Sequence, residues 1–156
     1  MTVIGVGNPY RHDDGAGADV VARLRARLGE STRVRLLELD GEPVRLIQSW
    51  EGSDSVIVVD AVRSDAPPGT LHRVSAEELN RVTPRGVPLG GGHLLGIGEA
   101  VDLARALGQL PPHLEVIGIE GEAFDFGVGL CEAVVATCES LAAELAERIE
   151  RRVGEG

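Results

Sequence analysis

The apolar positions of this chain follow two alternating rhythms. "TVIGV", "RVRLLEL", "SVIVVDAV" and "LEVIGI" are short, β-branched runs between polar flanks, the pattern of strands buried in a sheet. Between them the period becomes helical. "GAGADVVARLRARLG" spaces Val20, Val21, Leu24 and Leu28 along one face and ends on Gly29, placed as a C-terminal cap. "EPVRLIQSW" predicts a short second helix from Pro43, and "SAEELNRV" a third, opened by a capping box in which Glu78 follows Ser75 by three residues. From His93 a fourth pattern sets Leu94, Ile97, Val101 and Ala104 on one face. "TLHRV", after the turn signal "APPG", predicts an antiparallel edge strand, and "TPRGVPLGGG" has no period and reads as a loop. The last segment, "CEAVVATCESLAAELAERIERR", is a helix burying Val134, Cys138, Leu141, Leu145 and Ile149.

Strands that alternate with helices build a mostly parallel sheet covered on both faces. The expected architecture is therefore α/β: a three-layer, phosphorylase/hydrolase-like sandwich with a twisted sheet of about five strands and helices on both sides. A length of 156 residues suits one domain, 1–156, around one sheet. In such sheets ligands bind beyond the carboxyl ends of the strands. That directs attention to four loops: Gly7 to Gly17, Asp40 to Glu42, Asp60 to Asp65, and Glu120 to Gly129.

Composition removes several function classes. With 25 acidic against 15 basic residues the net charge is -10, and only four residues are Phe, Trp or Tyr. A nucleic-acid binder needs a basic footprint and, for single strands, stacking rings. No apolar run approaches the roughly 20 residues of a membrane span. "MTVIGVG" has neither a basic leader nor a cleavage site, so the expectation is a cytoplasmic protein. Cys131 and Cys138 stand two helical turns apart, about 10 Å along the axis, too far for a disulfide. They are expected to be packed thiols.

The opening loop, "GVGNPYRHDDGAGADVV", tests poorly as a phosphate cradle. Gly5 and Gly7 supply a tight turn, but Tyr10 occupies the position of the third glycine of the dinucleotide fingerprint, and no Gly-Lys-Ser/Thr follows. Two carboxylates, Asp13 and Asp14, stand where the helix dipole would attract an anion. The plain alternative for either acid is an N-terminal cap. Asp60 marks the carboxyl end of the most strand-like run, where it reads equally as a turn carboxylate or as a second acid in the same crevice. His93 opens a helix whose N-terminus favours neutral imidazole, the metal-binding form. His12, His72 and His113 are weaker candidates. Two carboxylates and an imidazole delivered to one sheet edge suit a divalent transition metal and leave positions open for further ligands.

"GVGNPYRHDDGAG", "VIVVDAV", "GGGHLLGIGEAVDLARALG" and "VIGIEGEAFDFGVGL" resemble, in that order, the hydrogenase maturation proteases, and the resemblance covers nearly the whole chain. It implies a twisted sheet with helices on both sides. It also implies an endopeptidase that removes the C-terminal extension of a nickel-loaded [NiFe] hydrogenase large-subunit precursor, an aspartic-type, nickel-recognising hydrolase. The family's metal-contacting and catalytic residues fall on Asp14, Asp60 and His93. The nickel is expected from the precursor, whose cysteines supply the thiolates this site lacks. Asp14 stands where some relatives carry Glu, and Cys131 where they often carry Ser. The resemblance divides the neighbouring acids, with Asp13 as structural cap and Asp14 facing the metal. A non-cleaving, nickel-dependent checkpoint protein on the same fold is the alternative, and a small-ligand enzyme using the opening glycine loop is a third reading.

Overall fold

The β-branched run Ser55–Val62 is buried at every position, because it forms the central strand of a sheet that offers apolar side chains to layers on both sides. A computed structural model describes residues 1–30, 33–82 and 92–155, without the side chains of 80–82 and 92–95. The loop predicted from Thr83 lies outside the described residues as far as 91. Five strands, β1 (Thr2–Val6), β2 (Arg35–Leu39), β3 (Ser55–Val62), β4 (Leu71–Ser75) and β5 (His113–Glu120), lie in the order β2-β1-β3-β5-β4. All neighbours are parallel except β4, which runs antiparallel to β5 at the edge. The helices are α1 (Ala16–Leu28), α2 (Pro43–Trp50), α3 (Ala76–Val82), α4 (Gly92–Ala106) and α5 (Glu132–Gly154). This is the three-layer α/β arrangement that the alternating periods predict, with a mixed sheet and the antiparallel edge strand in its expected place.

Strand alternation sorts the core into two halves. Val3, Ile57, Val59, Ala61, Ile117 and Ile119 face α1 and α5, where they meet Val20, Leu24, Val134, Leu141 and Leu145. Ile4, Val6, Val56, Val58, Val62 and Val116 face the other way, against Leu46, Ile47 and Trp50 of α2 and Ile97, Val101 and Ala104 of α4. Residue 60 shares the parity of Val58 and Val62, so Asp60 belongs to the α2 and α4 face.

Local signals act as the sequence suggests in most places. Glu42 caps α2 by accepting from the N–H groups of Val44 and Arg45, both at 3.0 Å, with Pro43 in the first turn. The Ser75–Glu78 box closes reciprocally, at 3.0 and 3.3 Å. Gly29 terminates α1 at φ 62. Among the described residues no helix is long and apolar enough to cross a membrane, and both cysteines are free.

Two differences bear on the site. Residues His12–Gly15 form a 3-10 turn before α1, and neither it nor α1 has a side-chain N-cap. The predicted Asp cap of α1 is therefore absent, because Asp13 bonds the loop between β5 and α5 and Asp14 accepts from Asn8 earlier in its own loop. β3 also continues two residues past Asp60, which places that carboxylate inside the strand rather than in the following turn.

Candidate functional site

The connection from β1 leads through α1 to β2 on one side, and the connection from β2 crosses through α2 to β3 on the other. The carboxyl ends of β1 and β3 thus flank the point where the winding reverses, the crevice that α/β sheets use for ligands. Both candidate carboxylates occupy this place. The 3-10 turn carrying Asp14 packs against β3, the strand carrying Asp60.

Glycines make that approach possible. A Cβ on Gly17 would stand 2.4 Å from the Val59 carbonyl oxygen and 2.7 Å from that of Val6. A Cβ on Gly5 would collide with the Gly17 backbone. The start of α1 therefore rests directly on β1 and β3, one residue short of Asp60. Gly7 turns the chain at φ 137, a conformation open to residues without a side chain, and its N–H extends the ladder to the Leu39 carbonyl at 3.1 Å. The glycine pair of this loop thus serves a tight turn and close helix packing, with carboxylates beyond it.

The two neighbouring acids have different partners. Asp13 is fully buried and accepts three backbone N–H bonds, from Cys131 at 2.8 Å, Glu122 at 2.8 Å and Ala123 at 3.0 Å. Burial alone would push its carboxyl up; the N–H groups of Ala123, Cys131 and Glu122 outweigh it and hold the pKa below the ordinary aspartate value. Asp13 is a clamp on the loop between β5 and α5. Asp14, 6% exposed, accepts from the Asn8 N–H at 2.9 Å across its own loop. Asp60 is fully buried and lies in register with Gly118 of β5.

His93 is the second residue of α4, at that helix's N-terminal end, and its side chain lies outside the described residues. Among the described residues no three His, Cys, Asp or Glu side chains are grouped to hold a metal ion. The chemistry at hand is that of hard, anionic oxygen donors, which suit a divalent cation or a proton acceptor.

Sequence reasoning pointed to the loop that begins at Glu120 but gave Glu120 itself and Arg11 no role. Glu120 ends β5, fully buried, and gathers the loop after β3 by accepting from Ser64 N–H at 2.8 and 3.0 Å, Ser64 Oγ at 2.5 Å and Ala66 N–H at 3.2 Å. A carboxylate closing an apolar strand was the available signal. His12, at φ 45, lies with its Nδ1 3.0 Å from the Gly129 carbonyl, and Arg11 Nε donates to the Phe124 carbonyl at 3.1 Å. Cys131, the N-cap residue of α5, has its thiol pushed up by burial, with Asp13 beside it adding to the shift. Cys138 is buried, and its thiol is raised to about 12. His72 sits in β4 and His113 begins β5, neither beside the loop that carries Asp14.

Comparison with known proteins places the chain and its fold. Residues 18–148 match the family model HycI, described as hydrogenase maturation protease. The chain is 35% identical over 131 residues to the hydrogenase expression/formation protein HupD of Thiocapsa roseopersicina, covering 83% of this chain but 58% of that protein. It is 34% identical to HupM of Azotobacter chroococcum mcd 1, over 98% of this chain and 73% of that one. Among solved structures, the hydrogenase maturating endopeptidase HybD from E. coli superposes with a TM-score of 0.79 at 28% identity, covering 98% and 93% of the two chains.

Proposed function

Because this chain belongs to the hydrogenase maturation protease family, we propose that it is an endopeptidase that removes the C-terminal extension of a nickel-loaded [NiFe] hydrogenase large-subunit precursor. The observation that carries this reading is the likeness to a maturating endopeptidase along 98% of the chain. The nickel is part of the substrate. What supports its recognition here is the pair of acids, Asp14 and Asp60, on two elements that meet at the switch point of the sheet, with His93 opening α4 as the expected third donor. Carboxylate oxygens and an imidazole suit a divalent ion whose remaining ligands come from the precursor.

Hydrolysis needs water to add to the scissile carbonyl, a carbon–oxygen bond to form and the carbon–nitrogen bond to break. One of the two carboxylates takes the proton released by the attacking water and returns it to the departing amine, the work of a general acid–base group. In this aspartic-type reading, Asp14 and Asp60 are catalytic residues and Asp13 is a positioning residue.

The test is direct. Purified protein is incubated with nickel-loaded and nickel-free precursor from the same genome, and the precursor mass is followed. Cleavage of the loaded form alone is expected. Binding without a change of mass would replace the protease with a non-cleaving checkpoint protein, and indifference to both forms would sink the reading.

A further inference from the structure

Three of the chain's exposed large apolar side chains stand together on the loops that carry and clamp the candidate acids. Tyr10 is 69% exposed, Phe126 84% and Val128 77%. Apolar groups displayed this openly and side by side mark a surface meant to be covered. They do not sit on floppy chain. Arg11 and Gly127 form a parallel bridge, the Gly127 N–H donates to the Tyr10 carbonyl at 2.9 Å, and the His12 N–H donates to the Gly127 carbonyl at 2.8 Å. Asp13 fixes the same loop from below. A pinned aromatic loses little freedom when a partner covers it, which is what makes such residues strong anchors.

Two exposed arginines border the patch. The Arg11 guanidinium lies 5.7 Å from the centre of the Phe126 ring, and that of Arg63, three residues beyond Asp60, lies 5.3 Å from the centre of Phe124. Stacking on a ring holds the planar fork in place while leaving its edge for a carboxylate. Neither arginine forms an ion pair with a carboxylate among the described residues. The same loops also expose Asp65, Glu122 and Asp125, so the rim carries both signs, and the two arginines are the groups on it that an incoming carboxylate would complement.

We propose that these two loops are the docking surface for the precursor protein, holding an apolar side chain from the segment beside the cleaved bond against Tyr10, Phe126 and Val128, and a carboxylate of that segment on Arg11 and Arg63. The inference rests on the proteolytic reading above and adds where the polypeptide is gripped. Contact at this surface sets affinity, whereas the acids beyond it act on the bond.

Steady-state cleavage of the loaded precursor separates the two. Phe126→Ala should raise KM about tenfold with kcat unchanged. Raising salt from about 0.05 to about 0.5 M should raise the wild-type KM several-fold, and the Arg11→Gln/Arg63→Gln double variant should lose that dependence. Thermal melts establish that each variant is folded, and Phe126→Ala alone removes no side-chain hydrogen bond. A KM within twofold of wild type for both variants overturns the docking surface while leaving the protease standing. So does an effect of Phe126→Ala on self-association in sedimentation without an effect on KM, since the patch would then cover a second copy. If wild-type protein neither binds nor cleaves the precursor, the proteolytic reading falls and the docking surface with it.

Discussion

Replacing Asp13 by Asn tests the claim that it is the structural member of the acidic pair. The wild-type carboxylate spreads three backbone N–H bonds over two oxygens, Oδ2 taking Glu122 and Ala123 and Oδ1 taking Cys131. Asn can keep its carbonyl oxygen on the pair, but its amide group then faces the Cys131 N–H, donor against donor. One charge-assisted bond worth about 1.5–3 kcal/mol is lost, and a buried donor is left unsatisfied. Against a whole-domain stability of about 5–15 kcal/mol, a loss of about 2–3 kcal/mol lowers the melting temperature by about 4–12 °C for a chain of this size. The loss should also depend on pH. Because the folded-state pKa of Asp13 is depressed, its stabilisation is complete above the unfolded aspartate value, about 3.9, and fades as pH falls through the folded value. Urea unfolding of wild type and variant, followed by circular dichroism from neutral to strongly acidic pH, should show a gap that is constant near neutrality and closes at the acid end. A neutral-pH gap below about 0.5 kcal/mol, the size of an ordinary surface substitution, or one that widens on acidification, would refute the clamp.

Other outcomes follow from the same geometry. Asp14→Asn and Asp60→Asn should each lower precursor cleavage by at least about 100-fold, the low end of general acid–base contributions; cleavage within a few-fold of wild type by either folded variant would remove that residue from the chemistry. Gly17→Ala puts a Cβ 2.4 Å from the Val59 carbonyl oxygen, and because the obstacle is backbone, a loss of about 1–3 kcal/mol in urea unfolding is expected; an unchanged urea midpoint would contradict the close seating of α1. The buried Cys138 thiol, raised to about 12, holds about one part in 10,000 as thiolate at pH 8, so Ellman's reagent should leave it untouched until the protein unfolds. Two thiols titrating within seconds in native buffer would contradict that packing.

The elements were legible because each carries a local cause. β3 announced itself through an unbroken apolar run that a sheet buried on both faces requires, α2 through Pro43 at its start, and α3 through the Ser75–Glu78 box of its first turn. The carboxyl-edge position of Asp60 followed from that same run, although the strand continues two residues beyond it. The partners of Asp13 had no such signal. They lie 109 to 118 positions away, and nothing near an acid states which distant loop will bring it backbone N–H groups. The local rule therefore chose the nearest donors, those of α1, and assigned a cap that the fold does not use. Glu120 escaped for a related reason, since its bonds run 54 to 56 positions back to Ser64 and Ala66.

The same distinction explains how adjacent, chemically identical residues can divide their work. In a 3-10 turn successive side chains point about 120° apart, so a turn that aims one acid at the β5–α5 loop must aim the next elsewhere. Asp13 spends both oxygens on backbone donors that cannot move without disturbing the start of α5. Asp14 accepts from Asn8 across its own loop, at the winding-reversal edge it shares with Asp60. An acid saturated by buried N–H groups is held ionised and is poorly suited to exchanging protons near neutral pH, whereas one at the edge of the crevice can meet a cation or a water. The rigid bonding of the first acid thus positions the second, and because the β5–α5 loop that Asp13 clamps also carries Phe126 and Val128, one buried carboxylate sets the spacing between the proposed docking surface and the proposed cleavage site.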